Sequence, residues 1–140
     1  MKSGPIILIE DDIDDKELLE SIFRELKVLN KLVCFSKAEG AFGYLKSTSE
    51  QPFIIFCDVN LPIEDGISFK KRVDADPYLR EKSIPFVFYS TSVDQQTVNE
   101  AYTKMTVQGF FQKGSTYEEI KKTVKLIVDY WMLCRHPNSA

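Results

Sequence analysis

Apolar residues gather in five short runs, separated by segments of helical spacing. The runs cover residues 6–9, 32–35, 53–57, 86–89 and 109–112, and the second and fifth are the weakest. Runs one, three and four are apolar at successive positions, whereas a strand covered on one face alternates. They are expected to be central strands of a parallel sheet buried on both faces. Between the runs, Leu18, Leu19, Ile22, Phe23 and Leu26 form one helical stripe. Asp14 and Glu17 are placed like a capping box at its start, with Asp in the usual Ser or Thr position. Further helices are predicted over 38–45, 67–74, about 94–105 and about 117–134. The fourth would turn Val98, Ala101, Tyr102 and Met105 to one side, and the last would turn Ile120, Val124, Ile127 and Trp131 inward.

The order βαβαβαβαβα with right-handed crossovers predicts a doubly wound α/β fold, a five-stranded parallel sheet with helices on both faces. In such sheets the functional crevice lies beyond the carboxyl ends of the strands.

Composition narrows the class. The chain has 140 residues, 44% hydrophobic and 28% charged, the profile of one globular domain. A net charge of −3 with no Lys/Arg cluster argues against direct nucleic-acid binding, which needs many phosphate-neutralising cations. No apolar stretch approaches the roughly 20 residues of a membrane span. The start is too quickly acidic for a signal peptide. Cys34, Cys57 and Cys134 are odd in number, widely spaced and without a CxxC, so they read as reduced thiols of a cytoplasmic protein.

The chemistry collects at the strand ends. Glu10-Asp11-Asp12-Ile13-Asp14-Asp15 follows the first run, and Asp58-Val59-Asn60-Leu61-Pro62-Ile63-Glu64-Asp65-Gly66 follows the third. Ser90-Thr91-Ser92 follows the fourth, and Lys113-Gly114-Ser115 the fifth. Asp14 and Asp15 read as residues that cap a helix and favour its dipole. Glu10 and Asp11 directly follow a buried strand. If strands one and three are neighbours, they converge with Asp58. Close carboxylates raise one another's pKa, and a hard divalent cation such as Mg²⁺ relieves the repulsion. The acidic edge argues against a flavodoxin-type or dinucleotide-binding phosphate loop, because this loop is anionic and lacks Gly, and phosphate could bind only with a cation interposed. Lys113 lies at a strand end opposite the acids, where its ammonium could pair with Asp58 and later with a phosphoryl oxygen. Ser90 is placed to donate to the same group.

These residues together resemble a response-regulator receiver domain. The carriers are Glu10-Asp11-Asp12, Asp58-Val59-Asn60-Leu61-Pro62 with Asp65-Gly66, Ser90-Thr91-Ser92, and Phe110-Phe111-Gln112-Lys113. The resemblance covers about residues 5–135. It implies a flavodoxin-like (βα)₅ fold of strand order 2-1-3-4-5, as a single receiver domain over 1–140 with no output domain. The Glu-Asp-x-x-Asp-Asp opening and the long segment 74–84 further resemble a bacterial single-domain subgroup, often linked to phytochrome-type or hybrid sensor kinases.

The resemblance also implies roles. Asp58 would take a phosphoryl group from a phosphohistidine on a sensor histidine kinase or phosphotransfer protein. Glu10, Asp11, Asp58 and the backbone carbonyl of Asn60 would hold Mg²⁺. Lys113 and Ser90 would contact the phosphoryl oxygens, and Asn60 and Ser92 would tune hydrolysis of the acyl phosphate. Phe110 would be an aromatic switch partnered with Ser90. The face of the fourth helix, fifth strand and fifth helix would be remodelled toward a downstream protein or a homodimer. In this reading the chain is no enzyme beyond its own phosphorylation and dephosphorylation. Gly114 stands where the family commonly has a cis-Pro, which predicts a looser loop and a less firmly placed Lys113. Tyr89 stands where an aliphatic residue is more usual.

Two other readings are open. A Mg²⁺-dependent phosphatase of the haloacid-dehalogenase type also uses a strand-end Asp, but needs an acid two residues on, where this chain has Asn60. A receiver-like scaffold could dock partners without phosphorylation. Tyr130-Trp131-Met132-Leu133 is more apolar than one buried stripe requires; core packing is the preferred reading, a dimer contact the other.

Overall fold

The computed structural model describes residues 2–91 and 94–138. The strands are β1 (Ile6–Ile9), β2 (Leu32–Phe35), β3 (Ile54–Cys57), β4 (Phe86–Ser90) and β5 (Gly109–Gln112). The helices are α1 (Ile13–Glu25), α2 (Ala38–Ser47), α3 (Gly66–Ala75), α4 (Pro77–Lys82), α5 (Gln95–Lys104) and α6 (Tyr117–Leu133). All strand pairs are parallel, in the order β2-β1-β3-β4-β5.

β1, β3 and β4 are buried at every position, as their unbroken apolar runs predict, and β2 lies half-exposed at one edge. The sheet separates two cores. Ile7, Ile9, Ile55, Phe86 and Phe88 face α2, α3 and α5, while Ile6, Leu8, Phe56, Val87 and Tyr89 face α1 and α6. Burying a Leu, Ile or Phe side chain contributes about 1.5–3 kcal/mol, so these two layers hold the strand ends in register.

Three local expectations are corrected. First, α1 does not start on an Asp14–Glu17 box. Asp12 is its N-cap, and its Oδ1 accepts from the N–H groups of Asp14 (2.9 Å) and Asp15 (3.1 Å). An Asp cap needs no Glu at the third position. Second, residues 77–82 form α4. Asp76 ends α3 and caps α4, and Pro77 fits the first helical turn because its missing N–H would be unpaired there. Third, Tyr102 is 53% exposed, whereas Ala101 and Met105 are buried and Val98 only partly so.

The aromatic tail divides. Trp131 and Met132 pack against the α1–α6 core, whereas Tyr130 and Leu133 are exposed. The three cysteines are free thiols. No described helix is long and apolar enough to cross a membrane.

Candidate phosphoryl-acceptor site

Parallel pairing of β1 with β3 in register Ile9↔Cys57 brings the next residues of both strands to one edge. Asp58 N–H donates to the Ile9 carbonyl at 3.0 Å, and Glu10 N–H donates to that of Phe35 at 2.9 Å. Backbone pairing thus fixes both carboxylates before any side-chain contact is made. Glu10, Asp11 and Asp58 each present an oxygen within 4.8 Å of the others. Glu10 and Asp58 are buried, and Asp11 is exposed.

Asp58 Oδ1 accepts from Ser90 Oγ at 2.8 Å and from the Asn60 N–H at 3.0 Å. Its Oδ2 lies 3.4 Å from Lys113 Nζ. Ser90 is fully buried at the end of β4. Gly66, the first residue of α3, closes the site from behind. A Cβ there would sit 2.3 Å from the Asp58 carbonyl oxygen, so the close approach of α3 to the acceptor backbone requires Gly.

Lys113 is held by main chain and side chain. Its N–H donates to the Ser90 carbonyl at 2.8 Å. Its ammonium makes its closest ion pair with Glu10, and reaches Asp15 Oδ2 at 3.2 Å and Asp58 Oδ2 at 3.4 Å. The pairing of Lys113 with Asp58 is legible in the sequence, and its pairing with Asp15 is not. A residue in the first turn of a helix carries the same signature as a capping residue, and nothing local separates the two. Burial pushes Glu10 up to about 7, against the pull of Lys113. Burial works to lower Lys113, and the hydrogen bond and charge of Glu10, helped by Asp58 and Asp15, raise it above its ordinary value.

The loop after Lys113 is close-packed rather than loose. A Cβ on Gly114 would lie 2.7 Å from Glu119 Cβ, and Ser115 N–H donates to Glu119 Oε2 at 3.1 Å. Phe110 is half-buried, with its ring 5.3 Å from that of Phe88. Asn60 is exposed beside the site. Ser92 lies outside the described residues.

Residues 6–125 match the family model of the response regulator receiver domain. The chain belongs to this family. The receiver is 26% identical over 132 residues to the response regulator Rcp1 of Synechocystis sp., covering 91% of this chain and 88% of that protein. The phosphorylated cyanobacterial phytochrome response regulator RcpA is 25% identical, with a TM-score of 0.85 over 98% of this receiver and 99% of that chain. The Mn²⁺-bound form of Rcp1, at 23% identity, shares the fold with a TM-score of 0.83, again over 98% and 99% of the two chains. The chain is a receiver module of two-component signalling.

Proposed function

We propose that Asp58 accepts a phosphoryl group from a phosphohistidine of a sensor histidine kinase or phosphotransfer protein, in a Mg²⁺-dependent reaction in the cytoplasm. The observation that carries this reading is the convergence of Ser90 Oγ and Lys113 Nζ on the two oxygens of one strand-end carboxylate. The carboxylate would form the new O–P bond as the P–N bond of the donor breaks. This chain's contribution is positioning and charge stabilisation in a loose transition state. Asn60 N–H and Ser90 fix the carboxylate plane through Oδ1, and the Lys113 ammonium faces the negative charge brought by the phosphoryl oxygens.

The donor set fits a hard cation. It offers only carboxylate oxygens, two of them buried side by side, and its repulsion is relieved in this structure mainly by Lys113. Glu10, Asp11, Asp58 and the Asn60 backbone carbonyl would hold Mg²⁺, which supplies charge neutralisation to the incoming group. The relative Rcp1 has a Mn²⁺-bound form, which supports this assignment. Asn60 offers an amide where a phosphatase would need an acid, which favours a phosphate that is held and read. With Ser92, Asn60 would set the lifetime of that acyl phosphate.

The signal would leave through α5, β5 and α6. A phosphoryl group draws the Ser90 hydroxyl toward it, and Phe110, whose ring is tilted against that of Phe88, moves into the released space. An apolar groove of about 410 Å³ lined by Val87, Phe111, Leu126, Tyr130 and Trp131 lies on β5 and α6, available to a downstream protein or a second copy. Incubation with phosphoramidate and Mg²⁺, read by intact mass, tests the function. One added phosphoryl group in wild type and none in Asp58→Asn supports it, and no addition to wild type overturns it.

A further inference from the structure

Lys113 occupies a position that metal binding would disturb. Its ammonium neutralises Glu10, the same carboxylate that the proposed function gives to the cation. Two positive charges beside one buried carboxylate repel, so the ammonium needs a second partner outside the metal-binding trio. Asp15 is such a partner. Its Oδ2 is 3.2 Å from Lys113 Nζ, and it lies outside the Glu10–Asp11–Asp58 group. The Asp12 cap fixes its backbone through the Asp15 N–H.

Tyr89 lies beside the same ammonium. It is 2% exposed, and Lys113 Nζ lies 5.9 Å from its ring centre. Its hydroxyl is buried without a hydrogen-bond partner among the described residues. A buried hydroxyl left without a partner is destabilising, so a donor or acceptor brought to it is favoured. The charged groups whose fields reach it are Lys113 and Asp15.

We infer that Asp15 and the Tyr89 hydroxyl are positioning residues that receive the Lys113 ammonium when a cation claims Glu10, keeping it within reach of Asp58. This rests on the proposed function for its purpose, but its test does not. The probe is Mg²⁺ alone, titrated calorimetrically into the full chain. Asp15→Asn is expected to weaken Mg²⁺ binding roughly fivefold, as coupled neighbours of about 1 kcal/mol do. The same change made in Lys113→Met is expected to have no effect, because nothing remains to be positioned. An equal loss in both backgrounds would show that Asp15 acts only as one more negative charge, and would overturn the inference. So would an unchanged Kd in the single variant.

Asp15→Glu is expected to restore binding, and failure to restore it counts against the pairing. Tyr89→Phe is expected to keep or raise the melting temperature while weakening Mg²⁺ binding. An unchanged Kd there would overturn the role of Tyr89. Phosphoramidate labelling is read separately, so a wild type that binds Mg²⁺ as described yet takes no phosphoryl group contradicts the proposed function and leaves the positioning of Lys113 standing.

Discussion

Ser90 Oγ donates to Asp58 Oδ1 at 2.8 Å, in a site where both residues are buried at the ends of adjacent strands. A hydroxyl bonded to a carboxylate contributes about 1.5 kcal/mol or more, equivalent to a factor of ten in rate. Ser90→Ala should therefore slow phosphoramidate labelling of Asp58 about tenfold, while Ser90→Thr, which keeps the hydroxyl, stays close to wild type. Labelling rates equal in wild type and Ser90→Ala would remove Ser90 from the chemistry.

Ile63 sits in the loop that follows the acceptor, at φ 70° and 93% exposed. Glu64 N–H donates to the Pro62 carbonyl at 2.8 Å, closing a three-residue turn centred on Ile63. Positive φ is costly for a β-branched residue, and the side chain recovers nothing by burial. Ile63→Asn should raise stability by about 1 kcal/mol in urea denaturation. A loss of stability would mean that Ile63 makes contacts on which the loop depends.

Lys70 is a buried cation on α3, 3% exposed. It bonds Asp74 Oδ1 at 2.9 Å and Thr106 Oγ1 at 3.1 Å, and lies 4.7 Å from the Phe86 ring centre. Asp74 also accepts from Thr106 N–H at 2.9 Å, so the cluster ties α3 to the segment between α5 and β5. Removing one member of a buried pair strands the other. Lys70→Ala should cost about 3 kcal/mol, and Lys70→Ala with Asp74→Ala less than the sum of the two single variants. Additive losses would dissolve the pair.

His136, the single histidine, packs at the opposite end of the sheet. It is 6% exposed, with Nε2 2.7 Å from the Phe53 carbonyl and its ring stacked on Phe53. Burial lowers its pKa from 6.5, opposed by the Phe53 hydrogen bond. A depressed histidine contributes stability that is fully present above its unfolded value and is lost as pH falls through its folded one. Glu10 has the opposite sign. Raised from 4.5 to about 7, it contributes stability below its unfolded value that is lost as pH rises through about 7. Wild type should thus lose stability relative to His136→Gln as pH falls from about 7 to about 5. Parallel profiles for the two proteins would show that His136 does not titrate with folding.

Much of the fold and of the site is legible in the sequence. Consecutive apolar residues at 6–9 and 53–57 marked strands buried on both faces, and a carboxylate directly after each run had to emerge at the functional edge. The invisible features depend on packing between distant segments. Asp15 reads as a helix-start residue until the Lys113 ammonium is found beside it. Lys70 reads as a surface lysine, because its partner Thr106 lies far along the chain. Pro77 reads as a break between elements, yet it opens α4. The strain at Ile63 has no signature, since neither Gly nor Asn marks the positive φ there.

The most direct test of the central claim locates the phosphoryl group itself. After phosphoramidate and Mg²⁺ treatment, borohydride reduction converts an aspartyl phosphate to homoserine, which peptide mass spectrometry can place. Homoserine is expected at position 58 alone, in a Mg²⁺-dependent yield. Modification at any other residue, or none with Mg²⁺ present, would contradict it.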